Sequence, residues 1–459
     1  MKKCFVFCAL TAILCSSFSS LLHANDVEEW KRLDLSNPPP PRYCHAQIYD
    51  AKRNIMTIFG GWTYESIKQT YAMFDDTWQA DFSDSTWTKI ETDIKPSPRG
   101  AYALLDSLNN RLLLLGGFAL SGNDFNIYDD LWAFDLNNLS WNLLSPDGES
   151  PTNIGVATPV YDMTRNRIVF FGGEAHDPPY EALDVTWSLD LNHLEWKKIE
   201  PNGTRPPARW GHAAIYDAEK DRMIFFGGKY EDQNFIPDYL NDMWALNFGT
   251  NEWQKLLRNS AKCPSARSGI AMIHDRPRDR LVLFGGAESE QIGRGSLNDT
   301  WVFDLSTLEW QELTPAGDIP TGRSYIVASD NRSGNSMLLF GGNHSFAEML
   351  NDTYELCFQK TETDIYEKPE FVSQYALQQI YPNPFNPVTT ISYTLPKRSD
   401  VSIHIHDIRG ELVATLVNEK QMAGQHKITW NAYNLPSGTY FIRMKTENFM
   451  QTNKCLLLR

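Results

Sequence analysis

The residues in this 459-residue chain with chemistry to offer are a few histidines and a large set of aromatics beside acids. Ten histidines are present, but none pairs with another at metalloprotease spacing. No His-Glu-x-x-His, Asp-rich calcium loop or Gly-x-Ser-x-Gly elbow occurs. His45 and His212 each follow an Arg by three residues; they can reach inward, or simply pack. His176 and His344 have no second histidine close by. On this reading no catalytic residue, metal ligand or cofactor is assigned. The aromatics cluster in irregular stretches: Trp62, Tyr64, Tyr71, Phe118, Phe125, Tyr128, Tyr180, Tyr230, Phe235, Tyr239 and Phe346. Beside Asp, Asn and Glu such rings suit a glycan, whose apolar faces stack and whose hydroxyls seek acceptors. They suit a protein partner equally, and the plainer alternative is that they pack their loops down. Trp62, Tyr64, Phe118, Tyr128, Tyr180, Tyr230 and Phe235 are the candidate ligand contacts.

What must position them is a repeat. An apolar run closing on two glycines recurs six times, at Gly60-Gly61, Gly116-Gly117, Gly172-Gly173, Gly227-Gly228, Gly285-Gly286 and Gly341-Gly342. The steps are 56, 56, 55, 58 and 56 residues, the signature of an array. The unalternating apolar run predicts a strand covered on both faces. The glycines suit a backbone leaving it through positive φ or close to a neighbour.

Each repeat continues the same way. An Asp precedes an aromatic by two places (Asp76/Trp78, Asp130/Trp132, Asp242/Trp244, Asp299/Trp301, Asp352/Tyr354), and then come a tight turn and a second tryptophan. A proline-containing loop leads to Arg42, Arg99, Arg209, Arg267 or Arg323. The third repeat departs, with Asp184 three places before Trp187 and Asn153 in the Arg place. A residue required once per repeat reads as a turn or inter-repeat bond rather than a catalyst. Four short strands per repeat are predicted. The second tryptophans are Trp87, Trp141, Trp196, Trp253 and Trp310, with none after Tyr354. Trp30 stands 30 residues before the first glycine pair, where the missing one belongs. The segment Trp30 to Leu33 should therefore supply the outer strand of the last repeat and close a ring. Long irregular loops should gather on one face of that ring.

The diglycines, the spaced tryptophans and the Arg-Trp-Gly-His of 209–212 resemble the kelch motif over about 330 residues. The resemblance implies an all-β fold, a six-bladed β-propeller spanning 25–358. It also admits an enzyme, since radical copper oxidases and a sialic-acid epimerase share the architecture. Copper needs several converging His or Tyr ligands, and the histidines offer no such set, so a binding protein is the leading reading.

The formal charge of −15 argues against a nucleic-acid surface. Residues 1–24 read as a signal peptide, with Lys2 and Lys3, an apolar centre from Phe5 to Leu14, and Leu22-His23-Ala24 before the cut. No stretch reaches transmembrane length, and a monomer is expected. Cys44, Cys263, Cys357 and Cys455, left after export, form no disulfide framework by spacing. Residues 359–376 read as a linker. From 377 the alternation of Val401 to His406 and the turns around Leu435-Pro-Ser-Gly predict a small antiparallel sandwich. Its Tyr-Pro-Asn-Pro-Phe-Asn-Pro opening (381–387), Leu-Pro-Ser-Gly-Thr-Tyr turn (435–440) and basic-apolar end resemble the type A sorting domain of the type IX secretion system. The fold implied is immunoglobulin-like. A similar fold occurs in flagellar hook-capping proteins; terminal position and a leader favour sorting. The implied partner is the type IX machinery, and the implied destination is the cell surface or the medium. His404 and His406 share the polar face of a strand and are not assigned to a metal.

Overall fold

A computed structural model describes residues 28–65, 70–121, 124–151, 154–155, 157–175, 181–231, 236–256, 262–289, 295–331, 336–345, 348–358, 375–395, 399–421, 424–433, 435–446 and 449–458. The expected leader, most of the linker, and Asn153, His176, Tyr180, Phe235 and Phe346 lie outside these residues.

The apolar-Gly-Gly runs are second strands of sheets whose first four strands are antiparallel; the third and sixth sheets add a two-residue parallel edge, Asp147–Gly148 and Ala316–Gly317. The first sheet holds Ala46–Asp50, Ile55–Phe59, Thr77–Asp81 and Thr86–Ile90. Four more sheets follow in the same order, starting at Gly100–Asp106, Pro159–Asp162, Ala213–Asp217 and Ala271–Asp275. The sixth takes Ala328–Asn331, Ser336–Ser345 and Glu348–Cys357, and its outer strand is Glu29–Leu33. Trp30 stands opposite Leu356 in that antiparallel pairing, as its spacing requires. Each first strand touches the first strands of the two neighbouring sheets, and the sixth touches the first, so the ring closes around an axis.

The repeated residues hold sheet to sheet. The outer-strand Trp of one sheet packs on the Phe that precedes the diglycine of the sheet before it. Ring centroids are 5.0 Å apart for Trp141/Phe59, Trp253/Phe171 and Trp310/Phe226, 4.8 Å for Trp87/Phe340 and 4.9 Å for Trp30/Phe284. The second repeat has Leu115 in that place, and Trp196 packs on Phe170 of its own sheet instead.

Each repeat Arg is a clamp. Arg42 donates to both carboxylate oxygens of Asp76 (2.6 and 3.0 Å), to the Gly60 carbonyl (2.9 Å) and, through Nε, to the Pro40 carbonyl (3.1 Å). The Asp76 carboxylate also accepts from Trp78 Nε1 at 2.7 Å. Arg99, Arg209, Arg267 and Arg323 repeat the ion pair with Asp130, Asp242, Asp299 and Asp352, and a tryptophan indole donates to the first three of these carboxylates. The clamp's own backbone joins the previous sheet, its N–H donating to Leu350 and its carbonyl accepting from Gly342 in the case of Arg42. This explains the diglycine. A Cβ on Gly227, at φ +72°, would lie 2.7 Å from the Arg267 carbonyl oxygen, closer than side chains tolerate. In the third repeat Asp184 faces Arg205 at 3.9 Å, with both side chains about half exposed.

The long connections differ from the irregular loops expected. Several continue as hairpins past the glycines: Trp62–Glu65 with Thr70–Met73, Lys229–Glu231 with Pro237–Tyr239, and extended strands in the second and sixth sheets. Antiparallel pairing resumes because it satisfies backbone groups that a loop would leave to water.

Residues 375–458 have their own core. A three-stranded sheet (Ala376–Tyr381, Val388–Leu395, Gly424–Asn431) and a four-stranded sheet (Leu412–Gln421, Ser399–His406, Gly438–Lys445, Met450–Leu457) share Ile391, Tyr393, Trp430, Ile403, Ile405 and Ile442. Phe385 of the proline-rich opening is buried there, 5.2 Å from Trp430, and its backbone pairs with Leu456 and Leu458. Asn383 bonds the Lys454 carbonyl and the Leu456 N–H. The Tyr440 hydroxyl donates to the Pro436 carbonyl at 2.8 Å, fixing the turn. The residues that carry the sorting resemblance are thus the ones that close this small core.

Candidate functional site

Two features share one end of the ring. The first is an axial cavity of about 240 Å³ enclosed by the first strands. At its loop-face end stand Cys44, Gly211, Gly269 and Tyr325, all in the left-handed region at φ 51–66°. Their backbones form a collar: Ala101 N–H donates to Cys44 O, Cys44 to Tyr325, Tyr325 to Gly269 and Gly269 to Gly211, at 2.8–3.2 Å. Two sheets use glycine at this step, and two hold a side chain there against its preference.

One residue beyond the collar, His45 and His212 line the cavity from opposite sheets, with Tyr102 and Thr158 between them in the ring. Both imidazoles are buried. Burial, with the nearby Arg42 and Arg209 charges adding, pushes both down to about 3, so both are neutral. His45 Nε2 lies 3.4 Å from Gln47 Oε1, while its Nδ1 and both ring nitrogens of His212 have no hydrogen-bond partner among the described residues. His274 lines the far end. It occupies the place where Tyr49, Tyr161 and Tyr216 reach the turn residues Asn54, Asn166 and Asp221. The shorter imidazole stops 3.9 Å from Asp279, and neither of its nitrogens has a hydrogen-bond partner among the described residues.

The second feature is an aromatic strip. Trp62 packs on Tyr43 (5.9 Å), Tyr71 (6.0 Å) and Phe118 (5.0 Å). Tyr64 joins through Tyr71 and Tyr325 through Tyr43. Phe118 and Tyr325 line the cavity as well, so the strip runs from its mouth over the first sheet.

Three of the candidate contacts therefore come together: Trp62, Tyr64 and Phe118. Trp62 is buried beneath the others, which are half-buried. Tyr128 lies elsewhere, flat on Arg99 at 3.7 Å, the place Phe74 takes over Arg42. Tyr230 donates to Asp238 within its own hairpin, at 2.7 Å. Tyr43 and Tyr325 were not singled out by sequence; their signal was position, immediately after or two places after the clamp Arg. His344 Nδ1 lies 2.6 Å from the Gly322 carbonyl. Among the described residues no three His, Cys, Asp or Glu side chains are placed to hold a metal.

With this geometry in view, comparison with known proteins places the chain. The Attractin/LZTR1 β-propeller model matches residues 65–236, and the KLHDC2/KLHL20/DRC7 kelch-repeats model matches 160–370. The secretion system C-terminal sorting domain model matches 379–458. The chain is a kelch-repeat β-propeller with a type IX secretion sorting domain. Among similar curated proteins, Mei4-dependent protein 6 of Schizosaccharomyces pombe is 24% identical over 72% of this chain and 50% of its own length. Kelch domain-containing protein 2 of Bos taurus is 27% identical over 66% of this chain and 76% of its own length. Host cell factor 1 of Homo sapiens is 27% identical over 54% of this chain but 12% of its own. The chain thus spans half or less of the first of these relatives and of the human one. A solved structure titled "Structure of YjhT" superposes with a TM-score of 0.53 at 16% identity, covering 70% of this chain and 95% of that one. That likeness is one of fold.

Proposed function

We propose that this is an exported interaction protein, carried across the outer membrane by its sorting domain. It acts at the cell surface or in the medium, where the propeller's loop face binds a glycan or protein partner. The observation that carries the reading is the sorting-domain match at 379–458, on a module that folds around its own core. The propeller supports the binding half, because long hairpins and a concave aromatic mouth stand on a rigid ring. The test is transfer. In a host with type IX secretion, residues 359–459 are fused to a periplasm-targeted reporter. The reporter should become sensitive to protease added to intact cells, and a Phe385→Ala tail should lose most of that exposure. A reporter that stays protected in the periplasm refutes the sorting role.

A further inference from the structure

The axial cavity asks for something specific. On its walls are three buried histidines, and His45 Nδ1 and both ring nitrogens of His212 and of His274 have no hydrogen-bond partner among the described residues. A buried polar group without a partner costs free energy, so such nitrogens mark a place for water or ligand. A neutral imidazole offers one donor and one acceptor. On the same walls Gln47 donates to Ser329 at 3.0 Å and Thr158 donates to the His212 carbonyl at 2.6 Å, leaving acceptor lone pairs on both hydroxyls. A ligand hydroxyl both donates and accepts. The charged lining side chains, Arg276 and Asp330, stand at the end away from the aromatic mouth. An acidic ligand group entering from that mouth would meet neutral walls, on a chain of formal charge −15.

Size narrows the class. At about 240 Å³ the cavity falls below the roughly 300–1,000 Å³ of drug-sized sites. One sugar ring fits, and a helix or folded loop does not. Outside it, the half-buried rings of Tyr325, Tyr43 and Phe118 offer faces on which the next rings of a chain can stack.

We infer that the axial cavity and the aromatic strip at its mouth bind the neutral end of an oligosaccharide, the terminal ring among His45 and His212 and the following ring against Tyr325. The inference rests on the interaction reading above and names the ligand class for its site.

The test uses the mature full chain and four neutral probes, maltotriose, cellotriose, chitotriose and lactose, with sialyllactose as the acidic counterpart of lactose. Calorimetric titration should show at least one neutral probe binding, and sialyllactose at least tenfold weaker than the best of them. Tyr325→Gly removes the ring at a place where two other sheets already use glycine, so the fold is kept. His212→Phe removes the polar nitrogens and keeps an aromatic ring against Phe171 and Phe225, the core rings on which the imidazole packs. Each variant should weaken the best probe at least tenfold, with the melting temperature unchanged or raised for Tyr325→Gly. Four silent neutral probes would overturn the inference, as would tighter binding of sialyllactose, or unchanged affinity in Tyr325→Gly. A silent panel leaves the sorting reading standing, because the reporter transfer decides that separately.

Discussion

Replacing Trp30 by alanine should lower the unfolding free energy by about 3–5 kcal/mol, the usual cost of emptying a buried tryptophan site. That is a large share of the roughly 5–15 kcal/mol that holds a domain together. Trp30 is 0% exposed. It packs edge-on against Phe284 of the fifth sheet and Tyr354 of the sixth, and its indole donates to Thr300 at 3.4 Å. It therefore joins two sheets that are contiguous in sequence through a strand some 300 residues away. Deleting residues 25–36 should cost more. The sixth sheet would lose its outer strand and expose the edge of Glu348–Cys357. Urea denaturation followed by tryptophan fluorescence measures both. A truncated protein with the midpoint of the full chain would show that the ring does not need this closure.

Arg209→Ala should cost about 3–5 kcal/mol, because it leaves a largely buried carboxylate without its partner. The Arg209 side chain is 0% exposed and makes two bonds to Asp242 (2.5 and 3.0 Å), one to Gly227 and one to Pro207. Lysine should not restore the loss, since it cannot form the bidentate pair. Removing the exposed Lys89–Glu91 pair should change stability by about 0.5 kcal/mol or less. The effect carries a pH signature. Burial alone would raise the Asp242 carboxyl, but the Arg209 and Trp244 hydrogen bonds override it and hold the group below the ordinary carboxylate range. A depressed carboxylate adds stability above its unfolded pKa and loses it as pH falls through the folded value. The gap between wild type and Arg209→Ala should therefore be widest near neutrality and narrow below about pH 4. A gap independent of pH would mean that packing, not the ion pair, carries the effect.

The ring was legible in the sequence because its parts recur. Six diglycines, the spaced tryptophans and the displaced Trp30 report structural needs that recur around the ring, the tryptophan–Phe contact at five of its six junctions. The same logic marked the clamp arginines as structural before their bonds were known. The site was legible only in part. Trp62, Tyr64 and Phe118 meet because their connections lie on adjacent sheets, but Tyr128 shares Phe74's place two residues before the Asp. That position caps the arginine in the first two sheets and holds Leu240, Leu297 and Leu350 in the last three. The collar was not legible. Cys44, Gly211, Gly269 and Tyr325 share a position and no chemistry, so no motif announces that their backbones bond in series. The cavity is hidden for the same reason: it is built from one or two residues per sheet, about 56 positions apart, and exists only once the ring is closed. The hairpins past the diglycines read as loops in the sequence because ladders of two to five residues are too short to show a clear alternation.

The most direct test of the whole account is where the propeller goes without its tail. In the native host, a chain ending at residue 376 should fold, melt like the propeller of the full protein, and remain in the periplasm, while the full chain is labelled by antibody on intact cells. Equal surface labelling of the two chains would contradict the account.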